Sequence, residues 1–217
     1  MEPRMRRSVG VIGIVFVILF LISSFMMPTT PDSHASVAKA VAFYHKHRGV
    51  VIASAWVIEL AILVGVFFFW FLRDYLGRTD ADRTFATIGF AGALLFAVSG
   101  GVSAGINFAL GDSVTHVSGI ATQTLNVLQN DLATFIAGPG VGIFLIATAI
   151  VCIRSAVLPR WLGWVGIVLA VLGLAVPFFA PPAAGLWVLI ASIVIVVRER
   201  GTSGGAARGS APAETMA

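Results

Sequence analysis

Six long apolar runs divide this chain, and they constrain its fold more than any other feature of the sequence. They cover residues 9–27, 50–72, 85–110, 132–153, 161–180 and 183–197. A helix needs about 20 mostly apolar residues to cross a bilayer. The chain is 58% hydrophobic and only 11% charged, whereas soluble domains are about 25% charged. We therefore predict an all-α polytopic membrane bundle with one transmembrane helix for each run.

The first apolar run resembles a secretory signal, and the last is short for a membrane span. RMRR before the first run is typical of a secretory signal, but the run has 19 residues and a signal core has about 7–15. We therefore expect a retained anchor helix. The last run is short, and we expect its helix to include Pro181 and Pro182, because proline suits the first helical turn. Alternatively, the fifth and sixth runs form a re-entrant hairpin.

Basic residues predict the orientation of the bundle. With six spans, three basic residues (Lys39, Lys46 and Arg48) fall on one side and the other eleven on the opposite side. The positive-inside rule then places both termini in the cytoplasm, and we expect the protein in the cell (inner) membrane. Because the basic residues form short clusters between apolar runs, we expect no nucleic-acid partner. We predict one transmembrane domain over residues 1–198 and a disordered cytoplasmic tail over 199–217, which is rich in Gly, Ala and Ser. The eleven basic residues on the predicted cytoplasmic side are Arg4, Arg6, Arg7, Arg73, Arg78, Arg83, Arg154, Arg160, Arg198, Arg200 and Arg208.

Small residues recur at helical spacing in two runs and predict close helix contacts. These faces pack within one bundle, or they mediate a homo-oligomer or a complex with another membrane protein. In AGPGVG (137–142), Pro139 is expected to bend the fourth helix. Cys152, the single cysteine, is expected to be a small packing residue. The recurring small residues are Ala93, Ala97, Gly101 and Gly105 in the third run, and Gly163, Gly166, Ala170 and Gly173 in the fifth.

Glu59 stands inside the apolar stretch ASAWVIELAILVGV. It follows Val50 by about 13 Å along a helix axis, close to the middle of a ~30 Å bilayer core. A carboxylate at that depth is costly, so we expect it to face the bundle and to find a partner or stay protonated. It either binds a ligand or a proton, or holds helices together through a hydrogen bond. The expected partners are Ser99, Ser103, Asn107 and Thr134.

All four histidines fall on the side predicted to be outside. YHKH has the spacing of an HxH metal motif, but a helix turns residues two apart by about 200°, too far to share one ion. A haem would need histidines facing each other within the bundle, and none lies inside a run. We therefore predict no metal and no cofactor, and interfacial side chains instead. The histidines are His34, His45, His47 and His116.

The segment between the third and fourth runs is polar. In GDSVTHVSGIATQTLNVLQND the apolar residues approximate helical spacing, which Gly119 interrupts. We expect the fourth helix to begin near Thr122, with a polar face over the mouth of the bundle. That face serves capping and interfacial wetting, or lines the entrance for a ligand.

Three stretches carry a resemblance to a known family. FYHKHRGVVIASAWVIELAILVGVFFFWFLRDYLGR, TQTLNVLQND and RSAVLPRWLGWVG resemble a broad family of small six-helix bacterial membrane proteins with no assigned function. The resemblance covers roughly residues 8–198, and LPRWLG (158–163) is its most specific part. It implies the same topology and brings no catalytic residues.

The sequence has no nucleophile elbow, P-loop, HExxH or dinucleotide-binding motif. We therefore predict no catalytic residues and, first, a binding or transport protein with an outward-facing polar pocket for a small or lipidic ligand. The alternatives are a membrane-embedded enzyme or redox subunit acting on a lipid or quinone, and a structural partner subunit. The expected ligand-binding residues are Glu59, Tyr44, His45, His47, Asn107 and His116.

Overall fold

The computed structural model describes the backbone of residues 3–155 and 157–208, and the side chains of 8–131, 135–155 and 157–199. These residues form helices and short connections, without a strand, so the all-α prediction is confirmed. A 3₁₀ turn, Pro177–Phe179, precedes the last helix. The helices are α1 (Pro3–Met26), α2 (Val37–Leu76), α3 (Asp80–Ser113), α4 (Gly119–Ser155), α5 (Arg160–Ala175) and α6 (Ala180–Arg208).

Five of these helices are long and apolar enough to cross a membrane, namely α1, α2, α3, α4 and α6. The helix α5 is apolar but has 16 residues, about 24 Å of length against a bilayer core of ~30 Å. It packs against α4 and α6. The chain thus has the character of a multi-pass membrane protein.

Several helices extend beyond the apolar runs because polar side chains cap their ends. Ser36 accepts a hydrogen bond from the Lys39 amide and starts α2 well before residue 50. In the same way, Ser118 accepts from the Ala121 amide. The helix α4 therefore begins at Gly119, and the expected start near Thr122 is too late. Capping of this kind satisfies amide groups that lack partners in the first helical turn.

The last helix differs from the prediction at its carboxyl end. It begins at Ala180 and contains Pro181 and Pro182 in its first turn, as expected. It continues to Arg208, so the tail predicted to be disordered over 199–217 is helical over 199–208. No proline interrupts the backbone between Ala183 and Arg208. Residues 209–217 lie outside the described part of the chain.

Glycines form the closest helix crossings. A Cβ atom at Gly92 of α3 would lie 2.6 Å from the backbone nitrogen of Phe144 and 2.8 Å from the carbonyl oxygen of Gly140, both on α4. On α5, a Cβ atom at Gly163 would lie 2.9 Å from the Ala149 carbonyl oxygen of α4. The expected face of α5 is buried throughout and packs within the bundle. The α4 helix is continuous through Pro139.

Aromatic rings fill the centre between α2, α4 and α6. Phe144 stacks edge to face on Phe69 and on Trp187, with ring centroids 5.2 and 5.3 Å apart. The buried indole nitrogen of Trp187 donates to the carbonyl oxygen of Leu162 on α5. Cys152 is fully buried in the same core, in agreement with a packing role.

The two ends of the bundle carry different residues. We call the histidine end the one with the α1–α2 and α3–α4 connections, which bears all four histidines. The arginine end carries the α2–α3 and α4–α5 connections. There Arg73 donates to the Thr87 hydroxyl over 3.0 Å and Arg198 to the Val157 carbonyl oxygen over 2.6 Å.

Candidate functional site

A cavity of about 720 Å³ lies between α1, α2, α3, α4 and α6. Among the described residues, α1 packs against α2 and α6 but reaches neither α3 nor α4, and the cavity fills the space that separates them. Ligand pockets in proteins have volumes of roughly 300–1,000 Å³. This cavity is therefore large enough for a substantial organic molecule, and we treat it as the candidate site.

The cavity has an apolar half and a polar half. The apolar side chains come from the middle of the helices and include Phe16, Phe20, Ile62, Phe69, Phe96 and Leu189. On each of α1, α2, α3 and α4 the polar residues lie closer to the histidine end. They include Ser23, Ser24, Ser54, Ser103, Asn107 and Gln129. The site thus matches a molecule with one apolar and one polar end.

Most of the polar wall is already hydrogen-bonded within the protein. The Ser23 hydroxyl donates to the Ser54 carbonyl oxygen over 3.0 Å, and the Ser24 hydroxyl donates to the Phe20 carbonyl oxygen over 2.8 Å. Gln129 Nε2 donates to the Ser103 hydroxyl oxygen over 3.1 Å. Two buried oxygens of this wall, Asn107 Oδ1 and Gln129 Oε1, have no partner in the described part of the chain.

The cavity reaches the surface sideways, between α1 and the start of α6. Six of its lining residues are themselves exposed: Leu21 and Ser24 of α1, Pro177 and Phe178 of the 3₁₀ turn, and Pro182 and Leu186 of α6. Five of the six are apolar, and the Ser24 hydroxyl donates to the Phe20 carbonyl oxygen of its own helix, so this opening suits contact with hydrocarbon. The path into the site therefore leads from the hydrophobic flank of the bundle.

Of the six residues predicted to bind a ligand, the structure places only Asn107 in the wall of this cavity. Tyr44 is fully buried near the histidine end, where its hydroxyl donates to Asn126 Oδ1 over 2.8 Å. His45 and His116 are exposed, and His47 is half-buried against the ring of Phe43. The six side chains do not meet at one site.

Glu59 does not face the interior, which corrects the expectation from the sequence. It is exposed and lies at the border of the outward stripe of α2 that contains Trp56 and Leu60. Its carboxyl oxygen Oε1 would be 3.7 Å from a Cβ atom placed on Gly101. The cavity-facing residues of α2 include Ala55, Ile58 and Ile62 instead. A helix advances 100° per residue, so Glu59 lies beside their face.

The positions of the histidines bear on whether YHKH holds a metal ion or only supplies interfacial side chains. YHKH lies within α2, as expected from the sequence, so His45 and His47 point in different directions. In the described part of the chain, no three His, Cys, Asp or Glu side chains are grouped closely enough to hold a metal ion.

The polar face at the start of α4 holds the α1–α2 connection in place. Asn126 Nδ2 donates to the carbonyl oxygens of Pro31 and Asp32 over 3.3 and 3.2 Å. Asn130 Nδ2 also donates to the Pro31 carbonyl oxygen, over 3.1 Å, and Gln123 Nε2 to that of Ala35, over 2.8 Å. This amide clamp, formed by Gln123, Asn126 and Asn130, satisfies backbone acceptors that no helix serves.

Sequence reasoning missed most of the site. Ser103 is expected from the sequence only as a partner of Glu59, and Gln129 belongs to the polar segment before the fourth run. The spacing of Ser103 and Asn107, four residues apart, is the one signal that points to a shared wall. The apolar half carries no such signal, because phenylalanines lining a cavity and phenylalanines packed in a core have the same pattern. The cavity depends on how far apart α1 and α4 lie, which is set by contacts elsewhere.

Neither a curated protein nor a solved structure gives a significant match to the chain. A family described as a domain of unknown function (DUF4386) matches residues 8–204, which is nearly the whole chain and agrees with the resemblance found in the sequence. The multi-pass helical bundle with its side-opening cavity is thus a member of the DUF4386 family.

Proposed function

We propose that this protein binds an amphiphilic, lipid-type ligand in the cavity between α1 and α4. The observation that carries the proposal is the apolar side opening at Leu21, Phe178 and Leu186, which leads to a cavity with a polar far wall. A molecule dissolved in the bilayer can pass such an opening without leaving the hydrocarbon phase. Its chain would contact the phenylalanines, and its polar end would contact the wall around Asn107.

We further propose that the arginine end faces the cytoplasm and that the protein resides in the cell membrane. The distribution of basic residues supports this orientation, because short cytoplasmic loops carry an excess of Lys and Arg. The polar half of the cavity would then lie toward the outer side. Asn107 remains part of the proposed site, whereas Glu59 and the three histidines lie outside the cavity wall.

Photolabelling of the purified protein in nanodiscs tests the binding of a lipid chain. The probes share a palmityl chain bearing a diazirine and end in a hydroxyl, a methyl ether or a carboxylate. We expect at least one of them to label peptides of α1 and α6 that line the cavity, and unlabelled palmityl chains to compete. Labelling confined to outward residues such as Trp164 and Val168, which are exposed on α5, would contradict the proposal.

A substitution that fills the cavity sharpens this test. Gly185 lines the cavity, and a Cβ atom there would meet the ring of Phe20 at an ordinary 3.7 Å. Gly185→Leu is therefore compatible with the backbone but occupies ligand space. Because overpacking costs about 1–3 kcal/mol, labelling should fall roughly tenfold.

Gly105→Leu is the matched control, since it adds the same atoms at an exposed position with nothing within 4 Å. It should leave labelling unchanged. Equal labelling in both variants and in the natural chain would exclude the cavity as the binding site.

A further inference from the structure

We infer that the polar end of the ligand is an uncharged hydrogen-bond donor, so that the cavity selects hydroxyl-bearing lipids such as long-chain alcohols, prenols or partial glycerides. This inference rests on the proposed function and specifies the chemistry that the site would recognise. It follows from three properties of the polar wall.

The first property is the absence of charge. None of the described residues that line the cavity is a Lys, Arg, His, Asp or Glu. A phosphate or carboxylate enclosed by such a wall would lose its hydration without gaining a cation, which is strongly unfavourable. An ammonium group would lack a carboxylate for the same reason. A neutral polar end is therefore the one that this wall accepts at least cost.

The second property is a pair of acceptors without donors. Asn107 Oδ1 and Gln129 Oε1 are both buried and have no partner within the described residues. Buried polar atoms in folded proteins nearly always have a hydrogen-bond partner, and an exception calls for an explanation. A ligand hydroxyl donates one hydrogen bond and would complete one of the two groups.

The third property is that these acceptors belong to one patch. Asn107 follows Ser103 by one helical turn on α3, so the two share a face. Gln129 of α4 contacts Ser103 through its Nε2. Nearby, the hydroxyls of Ser23, Ser24 and Ser54 all donate to backbone carbonyl oxygens of their own or a neighbouring helix. Asn107 Oδ1 and Gln129 Oε1 thus belong to one patch and accept no hydrogen bond within the described residues, which favours a ligand hydroxyl, able to donate, over an ether or ester oxygen, which can only accept.

Competition among the three palmityl probes tests this selectivity. We expect the alcohol to label the cavity about fivefold more strongly than the methyl ether, the preference that one net hydrogen bond gives. The carboxylate should label least at a pH where it is ionised. In Asn107→Leu the preference for the alcohol over the ether should shrink, because one of the two acceptors is lost, while labelling by the ether stays at its original level and thereby shows that the cavity is intact.

Thr84→Val is the control for this experiment, because Thr84 lies on α3 like Asn107 but is exposed outside the cavity wall, and its hydroxyl donates to the Asp80 carbonyl oxygen of its own helix. It should keep the preference for the alcohol. If Asn107→Leu does not fold, Gln129→Leu provides the same comparison at the second acceptor. Equal labelling by all three probes in the natural chain, or strongest labelling by the carboxylate, would overturn this inference while leaving the lipid-binding proposal intact. Absence of cavity labelling by any probe would overturn both.

Discussion

Glu59 occupies the outside of the bundle although its sequence context favours an interior position. Its depth along α2 was predictable from the helical rise. Its direction was not, because two stripes of α2 are almost equally apolar, one lining the cavity and one facing outward with Trp56, Leu60 and Leu63. The missing side chain at Gly101 leaves room for the carboxyl group against α3. The carboxyl group thus lies at the surface of the α2–α3 pair.

Replacing this carboxyl group should stabilise the protein in a bilayer. Glu59→Leu is expected to raise the free energy of unfolding by about 1–3 kcal/mol, because an acidic group facing hydrocarbon is costly. Glu59→Gln, which keeps the shape and stays polar, should give a smaller increase. The measurement is unfolding in lipid nanodiscs or mixed micelles. A loss of stability in both variants would show instead that Glu59 has a partner that holds the bundle together.

Tyr44 and Asn126 make a buried contact on which the histidine end depends. Both side chains are fully buried, and the Tyr44 hydroxyl donates to Asn126 Oδ1 over 2.8 Å. Tyr44→Phe removes this donor and should lower the free energy of unfolding by about 1–3 kcal/mol. Asn126→Leu should cost more, because the carbonyl oxygens of Pro31 and Asp32 also lose a donor.

Thermal unfolding of the purified variants measures this ranking. Thr124→Val is a suitable control on the same helix, since the Thr124 hydroxyl donates only to the Ile120 carbonyl oxygen of its own helix and is exposed. It should change the midpoint little. A midpoint in Asn126→Leu equal to that of the control would contradict a stabilising role for the amide clamp.

At the scale of the helices, glycines of similar sequence context have opposite environments. In α3, Gly92 touches the backbone of α4, whereas Gly105 has nothing within 4 Å. The spacing in the sequence predicted a ladder from Ala93 to Gly105, yet the closest crossing lies one position earlier and at one end. Which small residues are needed depends on where the partner helix crosses, and the sequence of one helix does not show that position.

This difference gives a direct test within one helix. Gly92→Ala should destabilise the bundle by several kcal/mol, because its Cβ atom would lie 2.6 Å from a backbone nitrogen and neither helix backbone can retreat without losing other contacts. Gly105→Ala should stabilise it by up to about 1 kcal/mol, the difference in helix propensity. Reversible unfolding of both variants makes the comparison. Similar midpoints would mean that α3 and α4 do not cross at Gly92.

The amide clamp shows what a motif can and cannot predict. TQTLNVLQND was visible as a polar helical face, and the helix that contains it was predicted with its start only a few residues too late. Its target was not predictable, because Gln123, Asn126 and Asn130 bind main-chain carbonyl groups of the α1–α2 connection. Main-chain acceptors have no signature in the amino-acid sequence.

For the whole molecule, the number and order of the helices followed from the apolar runs, and the separation of histidines from most arginines followed from alternation along the chain. The cavity did not follow, since it is a space between elements and depends on all of their relative distances. Asn107 is the one expected binding residue in its wall because it lies far enough along α3 to reach the polar half. Tyr44 and the three histidines were expected there because they lie near the histidine end, and Glu59 because of its depth along α2.

The contacts between helices divide the bundle into two helix pairs that α2 joins. One pair is α1 with α6, which meet closely at Gly10 and Ser192, and the other pair is α3 with α4, which meet at Gly92 and Gly140. The helix α2 contacts both pairs, and the edge-to-face rings of Phe144 and Trp187 join them beside the cavity. Across the top, the amide clamp limits how far α1 can move from α4. A molecule in the cavity would lie between the two helix pairs, so we expect a distance measured between α1 and α3 to change when the cavity is filled.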